Sequence, residues 1–291
     1  MASYDFYRHF RECTGDDALT GRTGVAASHD KDNAGSSCRA RKSSGMRDNF
    51  AQPAGPDGQA FRQSGNRLKA APSRRELSLC KALPFFASGT MIKTRNGEVP
   101  VGALEKSDQV LTRDHGFQPV LWVGQTEIPA GYFRENPDAC PVVIRAGSLG
   151  ANCPARPLCV ASSHRILLRS RVAELAFLSS EVFAEALVWV QSGKAKRTAP
   201  DKPLTITHLL MASHEVILAD GAWVESLLAV PEMLRLLTPA DRAELEKSLG
   251  PRLHTQQTAR PCVTQKEAMM LLKEKSATAD TRRAQAGAAH T

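Results

Sequence analysis

Aromatic residues make up only 5% of this 291-residue chain, and no apolar run in it reaches the roughly 18 to 20 residues that cross a bilayer. The longest candidate, Glu174 to Gln191, is broken by Glu181 and Glu185. The first twelve residues, from Met1 to Glu12, lack the apolar centre of a cleavable signal peptide, so a cytoplasmic location is the default expectation. Cysteine is sparse in pattern as well as in number. The seven (Cys13, Cys38, Cys80, Cys140, Cys153, Cys159, Cys262) are scattered and never spaced Cys-x-x-Cys, which speaks against a disulfide framework and a zinc site. No metal or other cofactor is expected.

The middle of the chain also has no excess of either charge. The whole carries 38 Lys and Arg against 30 Asp and Glu, a net +8. Residues 1–82 hold 14 basic and 9 acidic side chains, residues 83–230 hold 14 and 14, and residues 231–291 hold 10 and 7, so the segments carry +5, 0 and +3. A nucleic-acid-binding fold concentrates positive charge on its folded face, and that arrangement is missing here. No specific nucleic-acid partner is expected.

From Thr14 to about Arg75 the chain is rich in Gly, Ser, Ala, Asp, Asn and Arg, with too few patterned apolar residues to offset the entropy of ordering. Residues 1–82 therefore read as a disordered basic arm, with order beginning near Cys80 to Phe86. Within the arm, Tyr4 to Phe10 is an aromatic island, readable as a docking segment or as a solvated tail.

Residues 83–230 change to short apolar runs separated by turn signals, the pattern of a compact all-β domain. Met91 to Thr94 and Glu98 to Val101 flank Arg95-Asn96-Gly97, whose Asn-Gly pair suits a tight hairpin turn. Further strands are expected at Gln109 to Thr112, Val120 to Glu127, Val142 to Arg145, Cys159 to Ala161, Arg165 to Leu168, Leu204 to Met211, Glu215 to Leu218 and Ala222 to Glu225, the last two joined at Asp220-Gly221. The Ala, Glu and Leu-rich piece from Glu181 to Gln191 reads as a short helix. After Val230, Thr238-Pro239-Ala240-Asp241 with Gly250 predicts a helix over Pro239 to Leu249. Thr264 to Glu267 is a capping box ahead of a second helix to about Lys275. Both are amphipathic and could cap the β domain or bind a protein partner; Ser276 to Thr291 reads as a disordered tail.

Three segments, in this order, resemble the Hint family, the self-processing module shared by Hedgehog C-terminal domains and inteins, and in particular its bacterial Hedgehog/intein branch. The first runs Phe85-Phe86-Ala87-Ser88-Gly89-Thr90 through Gly97-Glu98-Val99-Pro100-Val101 to Asp108-Gln109-Val110-Leu111-Thr112. The second, Pro141 to Gly150 leading to Val160-Ala161-Ser162-Ser163-His164-Arg165, is similar to the block that carries a Thr/Ser-x-x-His motif. The third, His208 to Ser226, resembles the closing pair of strands. The resemblance implies a horseshoe of antiparallel strands, with a helical C-terminal appendage and tails.

It also implies a chemistry. In the family, a thiol at the first residue attacks the carbonyl before it, turning an amide into a thioester that a second nucleophile resolves. The middle-block histidine, here His164, assists departure of the amide nitrogen, an aid worth about 100- to 10,000-fold. The ancestral substrate would be the chain's own N-terminal segment. At the decisive positions this sequence departs from the pattern. Phe85 stands where the nucleophilic Cys belongs, and Ala161 stands where the helping hydroxyl belongs, although Ser162 and Ser163 adjoin it. Gly102 and Ser107 replace an acid and a glycine. Glu225-Ser226 aligns with the His-Asn pair of splicing inteins, so no asparagine can cyclise there.

Cys80 and Ser88 lie five residues upstream and three downstream of Phe85, too far to attack the same bond within about an ångström of tolerance. Cys159 reads as a small buried hydrophobe. His208 and His214, six apart across a turn, read as core or inter-strand hydrogen-bonding groups rather than metal ligands, with His214 kept as a candidate site residue. Asp220 and Glu225 read as turn and edge-strand positions. The expectation is a degenerate Hint module that binds or scaffolds; the competing one is an active protein that cuts near Pro84-Phe85 with another nucleophile.

Overall fold

The computed structural model describes Leu77 and residues 80–274. The aromatic island, nearly all of the arm over residues 1–82 and the tail after residue 274 lie outside the described residues.

Thirteen strands among the described residues form one antiparallel sheet, twelve of them along a single path. In chain order they are β1 (Phe86–Ala87), β2 (Met91–Thr94), β3 (Gly97–Pro100), β4 (Gln109–Thr112), β5 (Gly116–Ile128), β6 (Val142–Ile144), β7 (Leu158–Val160), β8 (Arg165–Arg169), β9 (Glu181–Glu185), β10 (Ala195–Arg197), β11 (Leu204–Met211), β12 (Val216–Ala219) and β13 (Ala222–Glu225). Their neighbours run β10-β6-β7-β1-β11-β5-β4-β2-β12-β13-β8-β9, with β3 beside β2. The long β5 joins two halves of the path. Gln109 to Thr112 pair with Pro119 to Gly116 at its start, and Leu204 to Met211 pair along Ile128 to Val120, with a bulge at Leu210/Met211. The all-β reading of the sequence holds.

Turn chemistry accounts for two hairpins. Asp220 (φ 46°) and Gly221 (φ 80°) both take the left-handed conformation of a two-residue turn between β12 and β13. The β2–β3 hairpin forms where expected but turns differently: Thr94 pairs with Gly97, so Arg95 and Asn96 are the loop, and of the Asn-Gly pair only Gly97 has positive φ, at 109°. Ser107 takes the left-handed conformation at φ 77°, which glycine adopts with less strain.

Helices α1 (Ala130–Glu135), α2 (Arg171–Phe177), α3 (Ala186–Gln191), α4 (Pro231–Leu234), α5 (Pro239–Leu249) and α6 (residues 265–274) fill the connections and the C-terminal end. The expected helix from Glu181 to Gln191 is half wrong. Its first five residues are β9, paired with β8 from Arg169↔Glu181 to Arg165↔Glu185, and only the remainder is α3. Val182, Phe183 and Ala184 are buried, so packing overrides the Ala/Glu composition. The outer edge of β9 is covered too: Phe183 N donates to Pro261 O at 2.8 Å and Val263 N to Phe183 O at 3.0 Å.

Both C-terminal helices start as their caps require. Thr238 Oγ1 accepts from Asp241 N at 3.2 Å, and Thr264 and Glu267 cap each other reciprocally, Thr264 N to Glu267 Oε2 at 2.7 Å and Glu267 N to Thr264 Oγ1 at 3.3 Å. They cap the β domain. Ala268, Leu271 and Leu272 of α6 enter the main core with Phe86, Ile92, Val160, Ile166 and Val224. Leu245 and Leu249 of α5 belong to a second cluster with Leu210, Leu227 and Met233. A third, smaller cluster surrounds Phe85. Among the described residues no helix is long and apolar enough to cross a membrane.

Candidate functional site

The short β1 sits between two strands, with Phe86 paired to Thr207 of β11 on one side and Val160 of β7 on the other. This fixes the backbone immediately before it. The Phe85 carbonyl accepts from Ala161 N at 3.1 Å and faces His164 Nδ1 at 3.0 Å. The preceding carbonyl, that of Pro84, accepts from His208 Nδ1 at 2.8 Å. Two successive carbonyls are thus held by two buried imidazoles and one amide.

His164 is positioned from every side. Its own N–H closes a turn onto Ala161 O at 3.1 Å, Ala186 N donates to its carbonyl at 2.8 Å, and its ring stands edge-on to Phe86 with centroids 4.4 Å apart. Its Nε2 faces the Glu225 carbonyl at 3.2 Å. A neutral imidazole has one N–H, so it donates to one of the two carbonyls at a time. Burial lowers the pKa of His164, against the opposing pull of the Glu225 charge and of the two carbonyls. Burial likewise pushes His208 down to about 4, so that ring is neutral near pH 7 with its proton on Nδ1. The other nitrogen of His208 has no hydrogen-bond partner.

Behind His164 lies a buried ion pair. Glu225 accepts from Arg165 N at 2.7 Å and Arg165 Nη1 at 3.3 Å, and from His214 Nε2 at 3.2 Å. Ala259 N donates to His214 Nδ1 at 3.0 Å, which leaves the proton on Nε2, pointing at the carboxylate. Desolvation is the largest influence on Glu225 and would raise its pKa, but Arg165, His214 and His164 together hold it at about 2.

The Phe85 side chain points away from these polar groups. It is fully buried among Cys80, Ile128, Phe133, Ala139, Cys140, Ala161 and Ile206. Burial pushes the Cys80 thiol up to about 12, and Ser88 Oγ donates to Thr205 O at 2.7 Å. Ser162 Oγ donates to Cys140 O at 3.1 Å, while Ser163 Oγ is buried without a partner.

Of the residues singled out from sequence, Phe85, Ala161 and His164 therefore meet at one carbonyl, Ala161 through its backbone. His214 does not reach it and acts on Glu225 instead. Glu225 is not an edge position: β13 lies between β12 and β8, and the carboxylate is buried. Sequence reasoning gave His208 only a generic inter-strand role, whereas its partner is Pro84, 124 residues away. The one local signal was an imidazole inside an otherwise apolar strand. Among the described residues no cluster of His, Cys, Asp or Glu is arranged to hold a metal.

Residues 84–231 match a family model described as Hint domain. Among solved structures, a splice-inactive variant of the AceL NrdHF class 3 split intein is 12% identical, with a TM-score of 0.34 over 49% of this chain and 97% of that one. The bacterial intein-like domain from Clostridium thermocellum is 14% identical, with a TM-score of 0.31 over 48% and 96%. A DnaB intein from Synechocystis is 13% identical, with a TM-score of 0.30 over 49% and 98%. No curated protein matches.

Proposed function

The chain belongs to the Hint domain family, and we propose that it is a degenerate member that holds the Pro84–Phe85 peptide bond without breaking it, and now binds or scaffolds. One observation carries this reading: the side chain at the nucleophile position is a phenyl ring, fully buried in an apolar cluster. The family's first step needs a sulfur to bond to the carbonyl carbon of residue 84, the C–N bond to residue 85 to break, and a proton to reach the departing nitrogen. Here the first requirement has no atom to meet it.

The remaining requirements retain candidates. His208 donates to the Pro84 oxygen, where negative charge would build up in a tetrahedral intermediate, and such a donor is worth about 100- to 1,000-fold when placed for it. His164 contacts the next carbonyl along the chain, that of Phe85, and is held between it and the Glu225 carbonyl. Replacement nucleophiles are poorly supported. Cys80 is a buried thiol with a pKa near 12, and the hydroxyl of Ser88 is committed to Thr205.

Restoring the missing groups tests the reading. Phe85→Cys is expected to produce some thiol-dependent release of residues 1–84, and Phe85→Cys with Ala161→Thr is expected to produce more, both followed by intact mass. If neither variant cleaves while both remain folded by circular dichroism, the polar groups around Pro84 and Phe85 no longer form a competent site.

A further inference from the structure

The residues just before Phe85 are buried like core. Cys80 and Ala82 are each 3% exposed, Leu83 is fully buried and Pro84 is buried, while Lys81 among them is half-buried. The hold on Pro84 does not require this, because His208 bonds a backbone oxygen that any upstream sequence would supply.

The segment forms a hook over one face of β11. Alternate residues of a strand share a face, so Ile206, His208 and Leu210 point the same way. Ile206 belongs to the cluster that holds Cys80 and Phe85, His208 meets the Pro84 carbonyl, and Leu210 belongs to the cluster that holds Ala82 and Leu83. The chain therefore leaves the first cluster at Cys80, puts its tip into the second at Ala82 and Leu83, and returns to the first at Phe85. Strand β5 repeats the division: Trp122, opposite Leu210, lies in the second cluster, and Ile128, opposite Leu204, lies in the first.

The second cluster is completed from the C-terminal end, by Met233 and Leu234 of α4, Leu237, and Leu245 and Leu249 of α5. Like Ala82 and Leu83, these five lie outside residues 84–231, the range of the Hint match. Additions at opposite ends of the module thus share one cluster. Trp122 ties the strand floor to α5, its Nε1 donating to Asp241 Oδ1 at 3.2 Å.

We propose that α4, α5 and this face of β5 and β11 form a binding site for a short apolar segment, and that its occupant is the chain's own Cys80 to Pro84. The inference names the partner for the binding role proposed above and rests on that reading. The site grips side chains rather than the Pro84–Phe85 bond, so it operates whether or not that bond breaks.

The test is limited trypsin digestion of the full-length chain, read by mass as the rate at which a product beginning at Ala82 appears. Opening of the hook exposes the Lys81–Ala82 bond, and where opening and closing are fast the cleavage rate follows the open population. Wild type is expected to be cut there slowly. Leu83→Ala is expected to speed the cut about 10-fold or more, through lost burial at the tip of the hook. Met233→Ala with Leu237→Ala is expected to speed it similarly from the other end of the chain. Leu271→Ala, which truncates the main core instead, is expected to lower the melting temperature and leave the rate after Lys81 unchanged. Rapid cutting of wild type after Lys81 overturns the proposal, as does an unchanged rate in the Met233 and Leu237 double variant. Acceleration by all three variants in step with their loss of melting temperature, or loss of folded circular dichroism in Leu83→Ala, also overturns it, because the segment would then be ordinary core that opens only with the whole domain. Spontaneous cleavage at Pro84–Phe85, seen without trypsin, would contradict the non-cleaving reading and not this one.

Discussion

The two sides of residue 85 are built from different materials. Its backbone side faces polar groups: His208 on the Pro84 carbonyl, and Ala161 N–H and His164 on the Phe85 carbonyl. Its side-chain side is an apolar cluster with a benzyl group at the centre. Hydrogen bonds to a carbonyl are indifferent to the side chain on the same residue, because every residue supplies that oxygen. A nucleophile can therefore be replaced by phenylalanine without disturbing the groups that hold the peptide. On the proposed reading, holding a peptide bond and breaking it are separate properties of the same site.

Truncating the apolar side should produce the largest effect. Phe85→Ala is expected to lower stability by about 3 to 5 kcal/mol in urea titration, through lost burial and a cavity. Because the holding groups act on the backbone, the imidazole resonances of His164 and His208 should stay close to their wild-type shifts. Loss of those signatures would show that the two sides are coupled after all.

Next in size is the support behind His164. Glu225→Gln removes the carboxylate charge shared by the Arg165 backbone N–H, its guanidinium and His214, and is expected to cost about 3 kcal/mol. The Phe85 contacts should then loosen from the His164 side only, while His208 keeps its bond to Pro84.

Acid probes the polar side directly. Folded His208 takes its proton near pH 4 instead of its ordinary 6.5. Between those values the unfolded chain binds the extra proton, so this contribution to stability is complete above about pH 6.5. It falls as pH drops and levels off below 4, at a loss of roughly 3 kcal/mol. Glu225 acts in a lower window, its contribution disappearing as pH falls from about 4.5 through 2. His208→Gln is expected to shrink the first slope, leaving the part that His164 contributes through its own lowered pKa, and to leave the Glu225 window unchanged, as measured by urea denaturation at stepped pH. A smaller effect belongs to the turn before β4. Ser107→Gly should stabilise by about 1 kcal/mol, because the residue already has a glycine's φ.

What could be read from the sequence was what local chemistry dictates. Asp220-Gly221 made its hairpin, Thr238 and Thr264 made their caps, and the strand periods of β4, β11 and β13 fell where alternation put them. The mistaken helix at Glu181 to Glu185 shows the limit. Those residues have helical composition, but pairing with β8 and with the 261–263 segment decides their state, and neither partner is local. The same holds for the site. Phe85, Ala161 and His164 were legible through their resemblance to a known pattern, whereas His208 on Pro84 and Glu225 between Arg165 and His214 depend on contacts across 124, 60 and 11 residues. Charge pairs and carbonyl partners of that range leave no spacing signature in one chain.

The central claim is that the wild-type protein holds its Pro84–Phe85 bond and does not cleave it. The most direct measurement is the intact mass of purified full-length protein, followed for a day at neutral pH with and without added thiol. A single species at the full-length mass is the predicted result in both conditions. Thiol-dependent appearance of a fragment ending at Pro84 together with one beginning at Phe85 would contradict it.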